Sequence, residues 1–287
     1  MKKILSATLA LLLLLSLTLA VGCNKTVDGD ADPTDPAVSG EPTPDVPAGS
    51  RNYRTAEEIQ ASGELVVLTN ATFEPYEYVA GGEVVGADME LAQLIADELG
   101  VTLKIIDMDF DLIIDALKSG KGDLVAAGMT ATPERAEQVD FSTSYVDNGL
   151  LIIVAADSSI STAAGLAGQR VSLQEGTTAD EYVTDMDPAA REILRFKDAI
   201  AAGNAVSSGK ADACVLDIKP AEGVVANSGG ALVLLREQLT EEPMAMAVAK
   251  GNATLLTVVD TVLGAAIDDG TVEQLVEKHM ELTAAAE

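Results

Sequence analysis

The sequence predicts an α/β protein of two lobes, each a mainly parallel sheet flanked by helices. Three observations carry that expectation. From residue 64 onward, short apolar β-type runs alternate with stretches of helical apolar spacing. Such alternation builds parallel sheets covered on both faces. The alternating part runs to about 235 residues, which is large for one sheet and suits two lobes. The 287-residue chain is 48% hydrophobic, enough for a real core and against global disorder.

The first element is an address. Lys2 and Lys3 precede the uncharged stretch 4–22, which contains the Leu11–Leu15 run and ends Ala20-Val21-Gly22-Cys23. That order of positive, apolar and small residues is the layout of a secretory signal peptide. Leu19-Ala20-Val21-Gly22-Cys23 resembles a bacterial lipobox, which implies a diacylated Cys23 at the mature N-terminus. Ala20 departs from it, standing where a lipobox usually has leucine. The alternative is an uncleaved membrane anchor, since the apolar run nearly matches a bilayer span. Either way, the body of the protein is expected outside the cytoplasm at a membrane, with residues 1–22 as leader. Residues 23–50 hold five of the ten prolines, six acids and no aromatic residue. They read as a disordered, extended tether.

The body follows in order. Strands are expected at 65–69, 101–106, 124–127, 150–154, 171–174, 193–196, 213–216, 231–235 and 244–249. Helices are expected at 88–99, stopped by Gly100, and at 111–119, stopped by Gly120. Thr132-Pro133-Glu134 opens another as cap, first-turn proline and acid. Further helices are expected near 198–208, 219–227, 255–267 and 272–282, with another starting after Gly176. In open α/β sheets ligands bind beyond the carboxyl ends of strands, so functional residues belong in the strand-to-helix turns.

Composition excludes several chemistries. Eighteen Lys+Arg face 46 Asp+Glu, a net charge of −28, which argues against nucleic acid or an anionic membrane surface as partner. The one histidine, His279, leaves no multi-histidine metal site or histidine triad, and reads as a surface helix residue. No metal or cofactor is expected. Of two cysteines, Cys214 lies in an apolar strand and reads as an inert core thiol.

The turns carry an ordered set of motifs. They are Thr69-Asn-Ala-Thr-Phe-Glu-Pro-Tyr-Glu-Tyr78, Gly86-Ala-Asp-Met-Glu-Leu-Ala92, Gly128-Met-Thr-Ala-Thr-Pro-Glu-Arg-Ala136 and Val139-Asp-Phe-Ser142. Gly176-Thr-Thr178, Ala211-Asp-Ala-Cys-Val-Leu-Asp217 and Asp269-Gly-Thr271 follow. In this order and spacing, from about Gly63 to Leu282, the chain resembles the extracellular solute-binding proteins, family 3, of polar amino-acid ABC importers. Met108-Asp-Phe110 looks like the glutamine-binding members. The resemblance implies a type II periplasmic-binding-protein clamshell. Lobe 1 would hold 52–146 plus 244–287, and lobe 2 would hold 147–243. It also implies a monomer that passes a polar L-amino acid to a membrane permease with its ATPase.

A free amino acid is a zwitterion, and each charge taken from water needs a paired, hydrogen-bonded partner. Arg135 is the candidate fork for the α-carboxylate, because a guanidinium binds it through two parallel bonds. On spacing alone it reads more readily as a solvated first-turn arginine, since surface arginines are common; the resemblance selects the binding role. Asp217, ending an apolar strand, is the candidate ammonium acceptor or a helix N-cap. Gly128, Thr130 and Thr177 offer close backbone approach and N–H or hydroxyl contacts. The resemblance makes Phe73 and Phe110 walls for the ligand side chain, although Phe73 also reads as core. Asn70 stands where many members have aspartate. Glu74, Asp88, Gln174 and Glu175 are the positions expected to set ligand choice. Three of the four are acids and none is basic, so a neutral polar or cationic ligand is expected, glutamine or arginine foremost. Two other classes fit the fold: a dehydratase-type enzyme using Glu74 or Glu175, and an amino-acid sensor module.

Overall fold

The structure, a computed structural model, describes residues 51–285. The leader, the tether and Cys23 lie outside the described residues. Helix α1 (Ala56–Ser62) is set by a capping box between Thr55 and Glu58 and ends at Gly63 in the left-handed region. The chain then runs through β1 (Glu64–Thr69), β2 (Thr72–Phe73), β3 (Glu77–Ala80), β4 (Glu83–Val85), α2 (Ala87–Leu99) and β5 (Thr102–Asp107). A 3-10 turn at Phe110–Leu112, α3 (Ile113–Lys118), β6 (Leu124–Val125), α4 (Pro133–Ala136) and β7 (Val139–Phe141) follow. The second group is β8 (Leu150–Ala155), β9 (Arg170–Gln174), α5 (Thr178–Thr184), β10 (Glu192–Phe196), α6 (Ala199–Ser207), β11 (Ala213–Asp217), α7 (Ile218–Ala226) and β12 (Leu232–Leu235). Last come β13 (Ala247–Ala249), α8 (Ala253–Asp268) and α9 (Thr271–Ala285).

Two five-stranded sheets result, one ordered β5-β1-β6-β13-β7 and the other β10-β9-β11-β8-β12. Each repeats one scheme. Three strands pair in parallel, a fourth runs antiparallel to them, and the fifth pairs antiparallel with that fourth. The parallel expectation therefore holds for the βα units. The antiparallel members include β8 and β13, the first strands laid down after the chain changes sheet. Apolar faces explain the packing: α2 buries Leu91, Ile95 and Leu99, and every residue of β11 is buried, Cys214 included. Burial pushes the Cys214 thiol up to about 12, the behaviour of an unreactive core thiol.

The chain crosses between lobes twice, and the two crossovers bond to each other. Tyr145 N donates to Met244 O at 3.0 Å, Met244 N to Val146 O at 2.9 Å and Glu242 N to Asn148 O at 2.8 Å. This explains why the strand expected at 244–249 begins only at Ala247. Met244 bridges to Val146 and Thr130, leaving Ala247–Ala249 for the sheet.

Helix α1, strand β7 and the small β2-β3-β4 sheet were not among the expected elements. They are short, and β2 to β4 share no sustained alternation. His279 corrects its expectation. It is 3% exposed, its Nδ1 is 3.0 Å from the Tyr78 hydroxyl and its Nε2 is 2.7 Å from Glu90. It joins α9 to α2 and β3.

Candidate functional site

The carboxyl ends of β1, β5 and β6 in one lobe face those of β9 and β11 in the other. Asn70, Phe73, Phe110, Gly128, Thr130, Arg135, Gln174, Thr177 and Asp217 line one cavity between them, joined by Glu77 and Thr178. The first nine are the residues singled out in the sequence. Together the lining leaves about 10 Å³, room for roughly one water.

Arg135 sits on the short helix α4, whose Pro133 occupies the first turn and whose Thr132 hydroxyl accepts from Arg135 N at 3.2 Å. The side chain is turned inward, 6% exposed. Its Nη1 donates to Thr130 O at 2.9 Å and its Nη2 to Gly176 O at 3.1 Å. Cζ lies 5.5 Å from the centroid of the Phe110 ring. No carboxylate pairs with this guanidinium among the described residues. Burial lowers its pKa, opposed by the more distant charges of Glu181, Asp217 and Glu242. An arginine stays protonated nevertheless, so the site holds a buried cation without a counter-ion.

Asp217 closes β11 and is 4% exposed. Asn148, from the first crossover, donates to its Oδ1 at 2.5 Å. Although Asp217 stands at the N-cap position of α7, its side chain makes no capping bond, so the N-cap alternative is not realised. Burial, and then the neighbouring charge of Glu242, push its carboxyl up to about 7.

Gly128 has φ +51°, and a Cβ there would stand 2.7 Å from the Phe73 ring, so only glycine fits. Thr177 caps α5 and donates its hydroxyl to Gln174 O at 2.8 Å. Gln174 Nε2 crosses the cleft to Asn70 Oδ1 at 2.8 Å, while Asn70 Nδ2 is held by Met108 O at 2.8 Å. At the cleft edge Lys197 pairs with Glu175 at 3.0 Å and, across the lobes, with Asp111 at 2.7 Å.

Of the four positions expected to set ligand choice, only Gln174 lines the cavity. Glu175 is taken by Lys197, and Glu74 lines a separate groove beside β3. Asp88 lies fully buried behind Gly128, whose N–H it accepts at 2.9 Å, and accepts the Tyr145 hydroxyl at 2.7 Å. The acid that lines the cavity beside Asp217 is Glu77. It is 0% exposed, and its carboxyl and the neighbouring Asp88 can hydrogen-bond only by sharing a proton between them. Burial and the charge of Asp88 raise its pKa well above the usual carboxylate range. The signal for it was Tyr76-Glu77-Tyr78, an acid flanked by two aromatics in a chain with only five tyrosines.

The model of bacterial extracellular solute-binding proteins, family 3, matches residues 65–281. "Arginine-binding extracellular protein ArtP" of Bacillus subtilis is 36% identical over 164 residues, which cover 56% of this chain and 63% of that protein. The chain thus aligns with a little under two thirds of that relative's length. The arginine-bound form of truncated ArgBP from T. maritima superposes with a TM-score of 0.69 at 39% identity, over 73% of this chain and 99% of that one. An ancestral arginine-binding protein bound to glutamine gives a TM-score of 0.71 at 38% identity, over 75% and 97%.

Proposed function

This chain belongs to the bacterial extracellular solute-binding proteins of family 3, and on that footing we propose that its cleft captures a cationic L-amino acid, arginine foremost. One observation carries the reading. A buried, unpaired guanidinium and two buried carboxyls line the same cavity. Those are the counter-groups for the three charges of a cationic amino acid.

Arg135 takes the α-carboxylate, helped by Thr130 from its own lobe and Thr177 from the other. Asp217 takes the α-ammonium. Phe73 and Phe110 flank the aliphatic stem, with Gly128 giving it room. Glu77 receives the guanidinium, and Asn70 with Gln174 closes the polar wall. Because the donors belong to both lobes, only the closed form offers the ligand all of them, which is the differential affinity that closure requires. The names of the B. subtilis and T. maritima relatives support arginine. The ancestral protein holding glutamine supports a neutral polar competitor.

The lobes in this reading are 52–146 plus 244–287 and 147–243. The protein works as a monomer held to the extracytoplasmic face by a lipid on Cys23, and it passes its ligand to an ABC permease with its ATPase. It binds without turnover. Titration calorimetry against arginine, lysine, histidine, glutamine and glutamate tests the reading. Arginine is expected tightest and recovered unchanged. Glutamate is expected at least about tenfold weaker, a difference of only ~1.4 kcal/mol. Glutamate as the tightest ligand would overturn the assignment of Glu77.

A further inference from the structure

A second cavity, of about 670 Å³, opens at the rim of the cleft and meets the inner pocket at Thr130 and Thr178. Glu134, Glu181, Asp185, Asp187, Glu241 and Glu242 line it, with no lysine, arginine or histidine in its wall. No ion pair or hydrogen bond among the described residues engages any of these six carboxylates.

Acidic groups gathered together are not in themselves a site. Glu242 supplies the independent observation. It comes from the second crossover, is 5% exposed, and its Oε2 is buried without a hydrogen-bond partner. The Thr240 hydroxyl beside it is likewise buried and unpartnered. The Arg135 guanidinium acts on Glu242 only from a distance, so this carboxylate oxygen has no direct partner among the described residues, and a cation in contact with it would offset its burial. Tyr182 and Met186 complete the wall with an aromatic ring and a thioether, surfaces that suit a cation and its alkyl stem. The rim cavity offers about 670 Å³ where the inner pocket leaves about 10 Å³, so a whole amino acid fits only at the rim while the lobes are closed.

We propose that the rim cavity is a loading subsite, holding the guanidinium or ammonium of a cationic amino acid while the lobes part and before it passes to the inner pocket. The proposal rests on the reading that the ligand is cationic. Unneutralised carboxylates in a cleft concentrate cations and raise association rates. Salt screens the rest of the acidic surface beyond about 10 Å, so the rim groups dominate at physiological ionic strength.

Two measurements test this, and they separate the subsite from the ligand assignment. The first uses agmatine, which carries a guanidinium and an amine but no carboxylate for Arg135. In protein labelled with ¹³C-methyl methionine, agmatine should shift the Met186 resonance, and the shift should vanish in the triple variant Glu181→Gln/Asp185→Asn/Glu241→Gln. An unmoved Met186 resonance overturns the subsite whether or not arginine binds. The second is stopped-flow association of arginine and of citrulline, its uncharged isostere. The triple variant should lower the arginine kon about tenfold and flatten its dependence on ionic strength, leaving citrulline unchanged. Equal losses for both ligands, or none for arginine, overturn the loading role. A wild-type protein that binds agmatine at Met186 but no arginine would sink the arginine assignment and leave the subsite standing.

Discussion

Arg135 and Gly176 meet across the cleft, with Nη2 donating to the glycine carbonyl at 3.1 Å. A lobe 1 cation thus already touches lobe 2 backbone at the point where a ligand carboxylate would bridge them. Lysine in place of Arg135 loses the fork and the stacking on Phe110. Arg135→Lys keeps the charge but loses the two parallel bonds, so arginine binding is expected to weaken at least about tenfold, ~1.4 kcal/mol. Circular dichroism should show an unchanged fold, and calorimetry measures the loss.

Gly176 also packs closely against the Asp111 backbone of the other lobe. A Cβ there would lie 2.9 Å from the Asp111 Cβ and 3.1 Å from its Cα, and φ is +77°. Gly176→Ala should hold the lobes apart while adding only about 1 kcal/mol of local strain. Solution scattering at saturating arginine should show no compaction, and affinity should fall at least tenfold. Wild-type compaction in this variant would contradict the closing contact.

Glu77 should decide ligand charge. Burial and the charge of Asp88 raise its pKa well above the usual carboxylate range, so the neutral, near-isosteric Glu77→Gln should be tolerated by the ligand-free fold. With arginine bound, the lost acceptor matters: affinity should drop by about tenfold or more, ~1.4 kcal/mol, while glutamine binding holds or improves. Competition titrations read both at once.

Asp217 gives a pH dependence with a defined sign. Its carboxyl moves from an ordinary 3.8 to about 7 on folding. Between those values the folded protein binds more proton than the unfolded chain. This group therefore favours the fold most below the lower value and loses that contribution as pH rises to the upper one. Ammonium binding needs the carboxylate, so it should release a proton near neutrality, and affinity should climb as pH rises through about 7. Glu77 pushes the same way. Calorimetry in two buffers of different ionisation enthalpy measures the proton. Asp217→Asn should abolish binding yet raise the ligand-free Tm at pH 8 more than at pH 5.

At the other end of the chain, Cys23→Ser should yield a released, soluble protein if the leader ends in a lipidation signal. Residues 1–22 found still attached to membrane-bound wild type would favour the uncleaved anchor.

Much of the site was legible because glycine, proline and capping residues fix turns locally. Thr132, Pro133 and Gly128 set a backbone that turns Arg135 inward, and each follows from near neighbours in sequence. What stayed hidden depends on distant partners. Nothing beside Glu77 in sequence says that Asp88 lies near it, and nothing beside His279 says that Tyr78 and Glu90 enclose it. The acids expected to set ligand choice lie outside the cavity lining for the same reason. Lys197 is 22 residues beyond Glu175 in sequence yet 3.0 Å from it in space. The loss of an aspartate at Asn70 looked like a missing charge, whereas a neighbouring hairpin brings another carboxyl to the cavity.

The paired crossovers have a mechanical consequence. Ser142 to Leu150 and Leu239 to Met246 form a two-stranded ribbon, stitched by backbone bonds such as Glu242 N to Asn148 O and Leu239 N to Leu150 O. A ribbon flexes about an axis lying across its face and resists sliding of one strand past the other, because sliding breaks the whole ladder of bonds together. The lobes are thereby left one soft coordinate, an angle. Whatever inspects this protein from outside needs to gauge a single variable to tell loaded from empty, and any substitution that frays the ribbon blurs that signal without touching a residue of the pocket.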